Sequence, residues 1–133
     1  MNTLAGAIQT WWQATQPGLS ADGRVWFKVA PQESALPYAT FFQVSDVVGT
    51  WTTNYPFKQA SVQFNFHAIT AAAAEQLGES FRALFRGAPL IVGSGLVCHV
   101  LPNGSGIDIG EGLGPNGQDC WIAFELFDIA WTP

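Results

Sequence analysis

Residues 60–70, ASVQFNFHAIT, alternate apolar and polar side chains without a break, the period of a strand with one buried face. Val62, Phe64, Phe66 and Ala68 are expected to meet the core. Ser61, Gln63, Asn65 and His67 face away from it, with no carboxylate among them. Leu4, Ile8, Trp11, Trp12 and Thr15 recur at helical spacing between a cap at Asn2 or Thr3 and the breaker QPG, which predicts a short amphipathic helix. GRVWFKVAPQ (23–32) and PYATFFQVSDVV (37–48) are rich in aromatic and β-branched residues and predict strands, the second opening at a proline, where the missing N–H does least harm. The run GTWTTNYPFKQ then forms the broad tip of a long antiparallel pair.

Thr70 can cap a second helix through AAAAEQLGESFRALFRG, whose stripe is Ala73, Leu77, Phe81, Leu84 and Phe85 and whose stop is Gly87 followed by Pro89. Glu75, Glu79, Arg82 and Arg86 fall on its other side and read as a solvated face, with Glu79 and Arg82 paired at i, i+3. LIVGSGLVCHVL (90–101) predicts a strand kinked at Gly93 or Gly95, and CWIAFELFDIAW (120–131) a last strand, apolar on both sides, that is central or touches a partner. Between them PNGSGIDIGEGLGPNGQD (102–119) reads as a Gly-rich loop, functional or mobile. Helix, three strands, helix, two strands predicts one α+β domain over residues 1–133: a mainly antiparallel sheet of about five strands with two helices packed on one face.

Composition adds a demand for cover. The chain is 48% hydrophobic and 14% aromatic but only 11% charged, against about 25% charged in an ordinary soluble domain. Six Trp and ten Phe strain one small core, so self-association is expected. A net charge of −5 gives no electrostatic footprint for phosphates, and tight nucleic-acid binding is not expected. MNTLAGAIQTWW lacks the basic start of a secretory signal, and no apolar stretch reaches the ~20 residues a membrane helix needs, so the expected product is cytoplasmic. Cys98 and Cys120 read as buried free thiols that pair only if adjacent strands join them.

The chemistry is sparse. Ser94 and Ser105 each lie in G-S-G, which is not the nucleophile-elbow spacing. His67, His99, Cys98 and Cys120 match a zinc site in number, but neighbours 98 and 99 point to opposite strand faces. Asp108, Glu111 and Asp119 lack EF-hand spacing, the glycine run lacks a P-loop Lys, and strand parity separates Glu125 from Asp128. No catalytic group, cofactor or metal is expected.

The block from Trp26 to Gly87 resembles the tail-completion proteins of tailed bacteriophages, the tail-terminator or head-to-tail joining proteins. Its signals are the opening at Pro37 and Tyr38, a variable hairpin, VQFNFHA, and the helix carrying AAEQLGESFRALF; DCWIAFELFDIAW is similar to the family's closing strand. The resemblance implies a non-enzymatic virion protein, a hexameric ring at the head-proximal end of the tail, assembled in the host cytoplasm. It implies as partners further copies of itself, the tail-tube protein and the head–tail connector, with DNA passing through the ring. The long segment 102–119 departs from the family's pattern. Candidate interface anchors are Trp51, Tyr55 and Phe57 at the hairpin tip and Ile107 and Ile109 in the loop, followed by Trp11 and Trp12 on the first helix. The alternatives are another minor tail or neck component, a dimeric ligand-binding domain, or a small hydrolase using Ser105, Asp108 and His99 or His67.

Overall fold

The structure, a computed structural model, describes residues 3–15, 25–27, 36–44, 48–51, 56–92, 95–112 and 117–131. Helix α1 (Leu4–Thr15) begins where the Thr3 hydroxyl accepts the Gly6 N–H at 3.0 Å, which fixes the cap on Thr3. Strands β1 (Val25–Phe27), β2 (Tyr38–Gln43), β3 (Val48–Trp51) and β4 (Pro56–Ala68) come next. Thr70 then caps helix α2 (Ala71–Phe85) by accepting the Ala73 N–H at 3.1 Å, and Gly87 ends it at φ 73°. Strands β5 (Ile91–Val92), β6 (Gly95–Gly110) and β7 (Cys120–Trp131) complete the chain.

Among the described residues the strands form one sheet in the order β1-β2-β4-β7-β6-β5, with β3 paired to the first residues of β4. Only β1 and β2 run parallel; the other pairs are antiparallel. This is an α+β fold with both helices on one face. The strand count exceeds the expected five because GTWTTNYPFKQ supplies β3 and extends β4 back to Pro56, while 90–101 divides into β5 and the start of β6. β7 is central, between β4 and β6.

The Gly-rich segment is the main correction. Residues 102–110 are strand, not loop: Ser105, Ile107 and Ile109 stand opposite Glu125, Ala123 and Trp121 of β7. The break is confined to a bulge between Pro102 and Ser105, where Gly104 adopts φ 116°. Glycine favours turns locally, but a full ladder to the central strand overrides that preference. After β6, the Asp119 carboxylate accepts the Gly112 N–H at 3.0 Å.

The core is aromatic. Val62, Phe64, Phe66 and Phe127 from the sheet meet Leu77, Phe81 and Phe85 from α2 and Ile8, Trp11 and Trp12 from α1. Phe81 is its hub, with ring centroids 4.6 Å from Phe64, 4.9 Å from Phe85 and 5.2 Å from Trp12. The buried stripe of α2 is Ala74, Leu77, Gly78, Phe81 and Phe85, so Ala73 and Leu84 lie outside it; Leu84 is 44% exposed. Trp11, Trp12 and Trp131 are buried and Trp121 half-buried, so the core absorbs much of the tryptophan that composition alone assigned to interfaces. Cys98 and Cys120 sit at opposite ends of the β6–β7 ladder, since Cys120 is opposite Gly110 and Val97 is opposite Trp131; they cannot pair. Cys120 is a buried free thiol.

Candidate functional site

The helix-free face of the sheet is a mosaic. From β4 it takes Ser61, Gln63, Asn65 and His67, and opposite them from β7 Asp128, Leu126, Phe124 and Ile122. All eight are half-buried. Part of the polar row is paired: Ser61 Oγ donates to Asp128 Oδ1 at 2.7 Å, and Gln63 Nε2 donates to Asn65 Oδ1 at 2.8 Å, while the buried Nδ1 of His67 has no hydrogen-bond partner among the described residues. His67 stacks on Tyr38 with ring centroids 4.4 Å apart, and its Nε2 lies 3.4 Å from Thr40 Oγ1. Burial lowers its pKa from 6.5 to about 4, so the ring is neutral at pH 7.

The apolar row depends on glycine. A Cβ on Gly106 would lie 2.4 Å from Phe124 Cζ, so the Phe124 ring crosses the bare backbone of β6, and Leu126 Cδ1 lies 3.8 Å from where a Gly104 Cβ would be. Leu101, half-exposed and opposite Asp128, extends this row. The face therefore offers Phe, Leu and Ile beside neutral amides, with charge confined to Asp128, which accepts from Ser61, and to Asp108 on β6, a composition closer to an interface core than to a solvated surface.

On the helix side sits a buried carboxylate, Glu125, on the face opposite Asp128 as strand parity predicts. Glu125 is 3% exposed, in the same strand parity as Ala123 and Phe127, and it fits there because Gly78 of α2 has no side chain: a Gly78 Cβ would lie 3.2 Å from Glu125 Oε1. Arg82 reaches Glu125 Oε2 at 3.6 Å and Ser105 Oγ at 3.4 Å, so it turns to the sheet rather than to Glu79. Burial, only partly countered by Arg82, raises the Glu125 pKa above the ordinary 4.5. Two signals were present in the sequence: an acid in a core-parity position of β7, and a glycine in the middle of α2, where it costs about 1 kcal/mol relative to alanine. Gly78→Ala is expected to leave thermal stability unimproved in the natural chain but to add about 1 kcal/mol when Glu125 is also Ala, as a denaturation double-mutant cycle would show.

Of the expected anchors, Ile107 and Ile109 are exposed at 36% and 41%, on β6 rather than on a loop. Trp11 and Trp12 pack inward against Phe81 and are not available at the surface, because the stripe of α1 faces the sheet. Trp51 and Phe57 lie on β3 and β4 with their side chains outside the described residues, as is Tyr55 altogether. The hydrolase groups are not assembled. Ser105 is on the helix side of β6 and Asp108 on the other, His67 is two strands from Asp108, and His99 pairs near the far end at Ala130. Asp108 instead accepts the Ile109 N–H at 2.8 Å. No group of three or more His, Cys, Asp or Glu side chains that could hold a metal occurs among the described residues.

No family model and no curated protein matches this chain. Solved structures do. A chain from the virion of a native gene transfer agent particle superposes with a TM-score of 0.71 at 13% identity, over 98% of this chain and 96% of that one. A second solved structure superposes with a TM-score of 0.55 at 11% identity, over 98% and 95%. At these identities the likeness establishes a common fold.

Proposed function

We propose that the chain is a non-enzymatic structural protein of a phage-like virion. It forms a homo-oligomeric ring, hexameric as in the family it resembles, which closes the tail tube at its head-proximal end and joins it to the head connector. The single observation that carries this reading is the near end-to-end fold likeness to a gene transfer agent virion chain, over 98% of this chain and 96% of that one. The helix-free face supports it, because Phe124, Leu126 and Ile122 form an apolar row among mostly uncharged polar neighbours, and on the other face Ile107 and Ile109 of β6 add exposed apolar surface. A net charge of −5 suits a ring through which DNA passes without sticking. Electron microscopy of the purified protein mixed with tail tubes tests the placement: rings capping one tube end are expected. Tubes with bare ends, or protein decorating their sides, would reject the terminator role.

A further inference from the structure

Beside α2 the structure holds a groove of about 190 Å³, lined by Glu75, Glu79 and Arg82 from the helix and by Ser105, Ile107 and Glu125 from the sheet. Three carboxylates face one guanidinium there. Acidic clusters are commonly just solvated, but Glu125 differs: it is 3% exposed, and among the described residues its Oε2 accepts no hydrogen bond, Arg82 standing off at 3.6 Å. A buried carboxylate without a hydrogen-bond donor is costly, so an additional donor in the groove would be strongly favoured. Arg82 is divided between Glu125 and Ser105 and is 38% exposed, which leaves the groove's charge unbalanced.

We infer that this groove receives an arginine side chain from a partner protein. A planar guanidinium can donate to Glu125 and to Glu79 or Glu75 together, while its aliphatic stem lies along Ile107. A divalent cation fits less well, because only Glu125 of the three acids is buried and no metal-competent cluster is present among the described residues. The groove is on the helix side of the sheet, and its chemistry does not depend on whether copies of the chain form a ring.

The test is a titration of the full chain with N-acetyl-arginine methylamide, followed by backbone amide NMR. Saturable shifts at Gly78, Ser105 and Gly106 are expected, with citrulline methylamide, the uncharged isostere, silent. Glu79→Gln, an exposed change that leaves the fold intact, and Glu125→Gln should each weaken binding about tenfold or more. Equal shifts from the citrulline compound, saturable shifts from Mg²⁺ at the same amides, or unchanged binding by Glu79→Gln and Glu125→Gln would overturn the assignment. Loss of tail-tube capping with groove binding intact would bear on the ring alone.

Discussion

Phe81→Ala is expected to lower the unfolding free energy by about 3–5 kcal/mol, a large part of the ~5–15 kcal/mol that holds a typical domain together. The side chain is fully buried and touches rings from every layer: Trp11 and Trp12 on α1, Phe64 and Phe66 on β4, Phe85 on its own helix and Phe127 on β7. Removing it opens a cavity that six rigid neighbours cannot collapse into, so both the transfer loss and the cavity cost apply. Phe124→Ala is the comparison, because that ring is half-buried and lies over Gly106 on the helix-free face. It should cost about 1 kcal/mol or less in the subunit. Urea denaturation of both variants checks the pair; similar losses would mean that the core is not centred on Phe81.

Acidity should separate His67 from Glu125, which act in opposite directions. His67 is neutral in the fold with its pKa near 4, so its contribution is fully present above pH 6.5 and is lost as pH falls toward 4. A shift of that size corresponds to up to about 3 kcal/mol. Glu125 has a raised pKa, so its contribution is present below about pH 4.5 and is lost as pH rises through the raised value. Glu125→Gln should therefore leave a stability that climbs from pH 4 to 6.5, whereas His67→Gln should leave one that falls as pH rises above 4.5. Chemical denaturation at half-unit pH steps distinguishes them; parallel profiles would contradict the assignments.

Local periodicity carried much of the architecture. The alternation of residues 60–70, the Thr70 cap and the Gly87 stop all appear where spacing placed them, because each is decided by neighbours a few residues away. What escaped were effects decided across strands. Residues 102–110 read as loop because their glycines are turn formers in isolation; only pairing with β7, and the Phe124 ring lying over Gly106, shows why glycine belongs in that strand. Glu125 was legible by parity but not by partner, since nothing local says that Gly78 and Arg82 lie above it. The tryptophans misled for a related reason: composition counts them, while the two helices over one sheet face decide how many a core can take.

The interface reading now rests on the helix-free face and on Ile107 and Ile109 rather than on Trp11 and Trp12. Because the polar row there is tied within the sheet by Ser61–Asp128 and Gln63–Asn65, a partner that covers it meets charge only at Asp128, which already accepts from Ser61, and at Asp108, which accepts the Ile109 N–H. Native mass measurement of the purified chain over a wide concentration range, with and without tail tubes, tests the assembly most directly. A six-subunit species that persists on dilution, or that forms on the tubes, is the predicted result; a single-subunit mass under every one of those conditions would contradict it.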